Sequence, residues 1–327
     1  MKTILVTGAS GFVGGHVVAA LAHAGYHVRC LVRNVGRARF IKDYSPELVL
    51  GDVTAPATLE AALAGVEGII HCAGLTRAAR PEDLQSVNVA GTRQLFEACL
   101  RVNPAVHRIV HISSLAALGP AQPGQPVRES DERRPVSAYG RSKLAGQLVA
   151  ESYRDRLPVS VLVPPAVYGP QDKDFLVYFR LIKRGLLPMP GDGRQTVSLI
   201  YAKDLARAAL LCLESARAPG REYLVEDGRA RTWTEIAAAI STILERQPRL
   251  LRLPPDALRA LAGFAEFFGR CTGRTVLLSR DKLQEFVQPF WTCSGARIHE
   301  ELGFQPQYTL EQGLAETYRW YQEQRWL

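Results

Sequence analysis

The sequence predicts a doubly wound parallel α/β sheet followed by a smaller, mostly helical region. Three observations carry that expectation. Short β-rich runs alternate with stretches of helical spacing through the first half of the chain, and such alternation forces parallel strands joined by crossovers on both sheet faces. The first strand runs straight into a glycine-rich turn and a helix. The 327 residues, 47% apolar and 22% charged, are enough for about two domains and exclude a disordered tail, a collagen-like fibre or a stapled mini-protein.

Taken in order, strands are expected at Thr3–Thr7, His27–Arg33, Glu47–Leu50, Gly68–Cys72, Arg108–Ser113 and Val159–Val163. Helices are expected at Phe12–Ala24, Ala57–Leu63, Asp83–Leu100 and Ala138–Arg154. From about Gly169 the pattern changes. Pro and Gly cluster between Leu187 and Gly193, a strand-like VSLIY follows, then a helix from Asp204 to Glu214 and a strand at Glu222–Val225 that extends the first sheet. The remainder is mostly helical, its last helix capped by Thr309 with Gln312 as the reciprocal partner. Residues 1–168 are therefore read as the first domain, with 198–227 returning to it. Residues 169–197 and 228–327 form the second, substrate-binding part.

Forty Lys plus Arg against 32 Asp plus Glu leave a net charge of +8. No run of five or six like charges and no aromatic-and-basic stripe appears, so an anionic small ligand is expected rather than nucleic acid. The six cysteines are widely spaced, with no C-x-x-C pair. Cys30, Cys72 and Cys99 fall in apolar segments, where a thiol acts as a small hydrophobe. Met1–Ser10 is too short for a signal h-region, and no apolar stretch reaches bilayer length. A soluble, cytoplasmic protein without stable membrane insertion is expected. His107 and His111 have no third ligand in sequence, so no metal site is expected.

The first strand leads into Thr7-Gly8-Ala9-Ser10-Gly11-Phe12-Val13-Gly14-Gly15. Glycines there allow a tight turn and let a pyrophosphate reach the N–H groups of the helix start. The spacing is G-x-x-G-x-x-G rather than G-x-G-x-x-G. An acid about 20 residues on usually binds the adenosine ribose, but between Tyr26 and Lys42 there is none. Arg29, Arg33, Arg37, Arg39 and Lys42 stand there instead. Arg33 is best placed to clamp a 2′-phosphate, which favours NADP(H) over NAD; solvated loop arginines are the ordinary alternative. Asp52 suits an adenine amino group or, equally, a turn. Cys72-Ala73-Gly74 offers small residues against a cofactor.

The most specific feature is Ser137-Ala138-Tyr139-Gly140-Arg141-Ser142-Lys143. Tyr139 and Lys143 share a helix face. The neighbouring ammonium is expected to pull the phenol down from its usual value near ~10, letting it exchange a proton with a substrate oxygen. Ser114 can hydrogen-bond the same oxygen.

These pieces resemble an extended short-chain dehydrogenase/reductase, of the broad NAD-dependent epimerase/dehydratase family. The matching segments are TGASGFVG at 7–14, GDV at 51–53, HCAG at 71–74, VNVAGT at 87–92, HISSLAALG at 111–119, PVSAYGRSK at 135–143, PPAVYGP at 164–170, the helix from Asp204 and ELGFQPQYTLEQGL at 301–314. The resemblance implies a Rossmann-type cofactor domain and a hydride-transferring site. In it Tyr139 is the acid/base, Lys143 anchors the nicotinamide ribose, and Ser114 rather than Ser113 polarises the carbonyl. The cofactor-binding set becomes Gly8, Ser10, Gly11, Phe12, Val13, Gly14, Arg33, Asp52, Val53, Ala73, Gly74, Asn88, Pro165 and Val167 with Tyr139 and Lys143. Asn88 is either a site support or a buried structural asparagine. A homodimer is also implied.

Members that act on nucleotide sugars hold the pyrophosphate with arginines that this chain lacks. Val197 stands where the arginine of G-x-G-x-x-x-R falls in the run from Gly191 to Ser198, Gln288-Pro289-Phe290-Trp291 replaces R-x-G-D, and Val163 precedes PPAVYGP. Arg194 can replace only one of them. Leu258, Leu261, Ala262, Ala265 and Phe268 fall at helical spacing, with Phe264 and Phe267 on another face; this is either core or a lid over an apolar substrate. Resemblance thus shifts toward the 3β-hydroxysteroid dehydrogenase and dihydroflavonol reductase branch. The expectation is an NAD(P)-dependent oxidoreductase acting on a carbonyl or secondary alcohol of an apolar small molecule. An epimerase/dehydratase that recycles bound NAD and a non-catalytic NADP(H)-binding sensor are the alternatives.

Overall fold

The computed structural model describes residues 2–78, 80–190, 193–254, 257–258, 260, 262–264, 266 and 280–327. The expectations placed on Gly191, Leu261, Ala265, Phe267 and Phe268 lie outside those residues.

Six strands, β1 (Thr3–Thr7), β2 (His27–Val32), β3 (Glu47–Leu50), β4 (Gly68–His71), β5 (Arg108–Ile112) and β6 (Val159–Val163), fall where the sequence puts them to within a residue. With the strand Glu222–Leu224 they form one seven-stranded sheet, in the order Glu222–Leu224, β6, β5, β4, β1, β2, β3. Every pairing in it is parallel. The order reverses between β1 and β4. At such a switch point the crossovers leave to opposite faces, and a crevice opens beyond the strand ends.

Apolar strand residues feed two cores. On one face, Val6, Val110 and Ile112 pack under the helices Phe12–His23 and Ala202–Glu214 through Val17, Leu21, Leu205 and Ala209. On the other, Leu5, Ile69 and Ile109 meet Leu59, Phe96 and Val149 of three further helices. A third, aromatic-rich core gathers Phe179, Trp233 and Tyr321 from the second part of the chain with Tyr168 and Tyr201 from stretches read as the first, all five buried.

Three expectations change in detail. Asp83–Leu100 is not one regular helix: a π-turn at Ser86–Gly91 separates the helices Pro81–Gln85 and Thr92–Val102. A Cβ on Gly91 would lie 2.8 Å from Val53 Cγ2, so the glycine lets this wide turn sit against the cofactor-side loop. VSLIY is not one strand either. Thr196–Val197 pairs with Arg231–Thr232 and Phe290–Trp291, whereas Leu199–Tyr201 pairs with Ala166–Tyr168. The chain changes sheets at Ser198, whose N–H donates to the Trp291 carbonyl. Ala57–Leu63 opens as a 3₁₀ turn at Pro56–Thr58. The last helix, Leu310–Glu323, carries the full Thr309/Gln312 capping box.

Candidate active site

A cleft of about 670 Å³ opens beyond the carboxyl ends of β1 and β4. It is lined by Gly8, Ser10, Gly11, Phe12, Val13, Gly14, Arg33, Asp52, Val53, Ala73, Gly74, Ser114, Tyr139, Lys143, Pro165 and Val167. These residues come from separate loops that the parallel sheet aims at one edge.

The glycine turn is built by close backbone approach. Gly8 has φ +69°, and a Cβ there would lie 2.7 Å from Ala73 N; one on Gly14 would lie 2.2 Å from Gly8 O. Packing within the chain therefore accounts for these two glycines. Gly11 caps the helix Phe12–His23 without a side-chain hydrogen bond, and no acid stands in its first turn. Those helix N–H groups suit a pyrophosphate.

The arginines after β2 divide. Arg33 and Arg37 line the cleft beside Asn34. Arg29 does not: its guanidinium bonds Glu47 at 2.9 Å and the Ala64 carbonyl at 2.6 Å, and Arg39 lies over the Phe40 ring. Asp52 Oδ1 accepts from the N–H and hydroxyl of Thr54, both at 2.9 Å, while Oδ2 lies 3.9 Å from Arg33. Its carboxylate thus closes a turn and faces Arg33 at once.

Tyr139 and Lys143 both reach the cleft from the helix Ala138–Glu151, capped by Ser137 Oγ on Gly140 N. Lys143 Nζ donates to the Ile112 carbonyl at 2.7 Å, and burial lowers its pKa to about 8. Tyr139 overturns the sequence expectation. Burial pushes its phenol up to about 12; the Ser114 hydroxyl acts the other way but does not win. Desolvation of the phenolate outweighs any help from the ammonium, which spends a hydrogen bond on Ile112. Ser113 and Ser114 both line the cleft, but the Ser113 hydroxyl is spent on Gln147 Oε1 at 2.6 Å, whereas Ser114 Oγ accepts from Ala116 N at 3.2 Å.

Asn88, expected at the cofactor, does not line the cleft. Its Oδ1 accepts from Leu75 N at 2.7 Å, and its Nδ2 donates to Leu75 O and to Ser142 Oγ at 3.0 and 2.9 Å. It ties the loop after β4 to the helix of Tyr139 from behind. Thr92 Oγ1, which donates to Asn88 O, lies 3.0 Å from His71 Nε2, and His71 Nδ1 lies 2.6 Å from Thr7 Oγ1. Burial and Lys143 lower the His71 pKa to about 3. The described residues hold no cluster of three metal-ligating side chains.

The far end of the cleft was not legible as a site in the sequence. Phe175, Tyr178, Trp233, Phe286 and Trp291 line it, with Val197 where an arginine was looked for. Tyr178 stacks on Trp233 at 5.2 Å, and Trp233 on Phe286 at 5.1 Å. Arg194 does not line it. Of the cations that do, Arg77 is paired with Asp174 and Lys282 with Glu285, while Lys173 lies 6.0 Å from the centre of the Trp326 ring. Asp172 caps the helix Asp174–Lys183 through Asp174 N and Phe175 N, and its burial raises the carboxyl to about 7. Only this cap had a local signal, an aspartate just before an apolar-periodic run. The aromatic stacks and the Arg77–Asp174 pair join segments more than fifty residues apart. Of the 254–291 apolar stretch, Leu258 and Ala262 are buried with Leu283 in a small cluster that Phe286 joins.

A doubly wound sheet with a capless helix start at its switch point, beside a half-buried tyrosine and a buried lysine, defines a nicotinamide-dinucleotide oxidoreductase of the extended short-chain type. The chain belongs to the NAD dependent epimerase/dehydratase family, whose model matches residues 4–225. It is 32% identical over 327 residues to the ceramide reductase of Caulobacter vibrioides, covering 99% of this chain and 96% of that one. It is 28% identical to the 4-hydroxy-2-methyl-3-oxo-4-farnesyl-3,4-dihydroquinoline-1-oxide ketoreductase of Stigmatella aurantiaca, covering 96% and 95%. Among solved structures, the dTDP-glucose 4,6-dehydratase of Streptomyces venezuelae, with NAD and TYD bound, matches with TM-score 0.81 and 26% identity over 99% and 98% of the two chains.

Proposed function

We propose that this protein is an NADPH-dependent reductase that interconverts a ketone and a secondary alcohol on a long, lipid-like substrate. The observation that carries the substrate class is the aromatic far end of the cleft, with Val197 in the arginine position and its nearby cations Arg77 and Lys282 paired. The names of two relatives, with a ceramide and a farnesyl-bearing ketone, point the same way. NADPH is favoured by Arg33 and Arg37 at the cleft wall, where no acid replaces them beyond β2. A cytoplasmic homodimer completes the reading and rests on the family resemblance.

When bound, the nicotinamide supplies or accepts the hydride at the substrate carbon. The chain's own groups handle the oxygen. Tyr139 gives its phenolic proton to the carbonyl oxygen in reduction and takes it back in oxidation. Ser114 donates a hydrogen bond to the same oxygen, stabilising charge as it develops. Lys143, fixed to the end of β5 through Ile112 and lining the same cleft as Tyr139, holds a positive charge for the cofactor ribose. The uncapped start of the helix Phe12–His23 takes the pyrophosphate, and Arg33 the 2′-phosphate.

The test is to denature freshly purified protein and identify the nucleotide released, then titrate the empty protein with NADPH and NADH. An empty protein that prefers NADPH supports the reductase. Stoichiometric NAD carried through purification means in-place recycling and overturns it in favour of an epimerase or dehydratase.

A further inference from the structure

From the wall of the cleft opposite the glycine turn we infer that Lys282 and Glu285 form a recognition site for the polar head of an amphiphile. The head is a hydroxyl or amide N–H lying a few bonds from the reacting carbonyl. This rests on the reductase reading above and narrows its substrate.

Both residues sit one turn apart on the short helix Arg280–Phe286 and both line the cleft. Lys282 Nζ donates to Glu285 Oε2 at 2.7 Å, and Ser137 Oγ donates to Glu285 Oε1 at 2.5 Å. The ammonium lies 5.8 Å from the centre of the Tyr139 ring. The pair is therefore beside the proposed acid/base and next to an aromatic stretch of the cleft, with Trp233 stacked on Phe286 of the same helix.

An ion pair in such a wall is not explained by stability. Glu285 is only 8% exposed, and removing a carboxylate from water costs more than one partner returns unless its acceptor sites are filled. A carboxylate has about four acceptor sites, and Glu285 receives two donors, Ser137 and Lys282. Glu285 lines the cleft, so a donor on the ligand completes the set. Because Lys282 is neutralised by Glu285, the pair gives a phosphate or carboxylate head no net attraction, whereas a neutral hydroxyl or amide N–H can donate to Glu285. An apolar tail then runs along Tyr178, Trp233 and Trp291.

Two ketones of equal chain length test this with NADPH oxidation as the readout: a plain long-chain ketone and one bearing a hydroxyl and an amide N–H beside the carbonyl. In Glu285→Gln, which keeps an acceptor for Ser137, the ratio of kcat/KM for the polar-headed over the plain ketone should fall at least about tenfold, roughly one hydrogen bond to a charged group. Lys282→Met, which leaves the Ser137 contact alone and opens a further acceptor site on Glu285, should not lower the ratio. A ratio unchanged in Glu285→Gln overturns the site, even if both rates fall, because a merely structural role lowers the two together. If the wild type reduces neither ketone, the reductase reading fails on its own account. The head-group site is then read by tryptophan quenching on titration with the hydroxy-amide alcohol. Tenfold weaker binding in Glu285→Gln upholds it; equal binding, or none to the wild type, overturns it.

Discussion

Lys143 Nζ is hydrogen-bonded to the carbonyl of Ile112 at 2.7 Å, so the buried ammonium is anchored to the last residue of β5. Burial brings its pKa to about 8 while lifting Tyr139 to about 12. Reduction needs both groups protonated, and Lys143 is the first to lose its proton as pH rises. The kcat/KM for NADPH-dependent reduction should therefore fall above about pH 8. Lys143→Arg, with a cation that keeps its proton, should shift that fall upward; superimposed profiles would remove Lys143 from the titration.

Tyr139→Phe removes only the phenolic oxygen. Turnover should drop by roughly 10²–10⁴, with NADPH affinity within about threefold of wild type by fluorescence titration, since the ring still fills its place. Near-normal turnover would show that the proton comes from elsewhere.

Arg33 is the cofactor-selecting residue in this reading. Its side chain is 61% exposed, so solvent screens it and the expected effect is about tenfold weaker NADPH binding in Arg33→Ala. NADH, without the 2′-phosphate, should bind as before. Isothermal titration of both nucleotides separates the outcomes, and equal losses would argue for a general structural role.

His71 links stability to pH. Its folded pKa is lowered to about 3 against an unfolded value near ~6.5, so below pH ~6.5 the unfolded chain binds the extra proton and stability falls. From pH 7.5 to 5 this one group removes about 2 kcal/mol. Asp172, raised to about 7, has the opposite sign: its stabilisation grows as pH falls. His71→Asn leaves Asp172 in place, so the variant should lose about 2 kcal/mol less than wild type over that range in urea titrations. Parallel losses would exclude His71.

Asp281 joins the two parts of the chain at the site. Its Oδ1 accepts from Ala138 N at 2.6 Å and its Oδ2 from Tyr139 N at 3.4 Å, capping the helix that carries Tyr139 from 142 residues away in sequence. Asp281→Ala should cost about 1 kcal/mol, as for a lost N-cap, read as a lower denaturation midpoint. Asp281→Asn, still an acceptor, should recover most of it.

Strand positions, the glycine turn and the Tyr139/Lys143 face were legible because each is a local pattern: a period of two, a period of 3.6, or a turn that needs φ > 0. The place of Arg33 on the cleft wall followed from its position at the end of β2. Misreadings arose where a local rule met a distant neighbour. The period through Asp83–Leu100 gives no sign of the π-turn that brings Asn88 to both Leu75 and Ser142. The alternation in VSLIY hides the change of sheet at Ser198.

By itself the sequence determined the strands of the parallel sheet and many of the residues at its carboxyl edge, because backbone sterics and hydrophobic period act over a few residues. Tertiary structure alone decided the charge states and the partners. Whether the Tyr139 phenol is eased or hindered in losing its proton depends on how much water surrounds it, and burial raised it. Pairing of Lys282 with Glu285 at an aromatic wall, and of Asp281 with the start of the Tyr139 helix, depends on where a distant segment docks. Solvation and long-range contact are properties of the folded surface as a whole, and no window of sequence contains them.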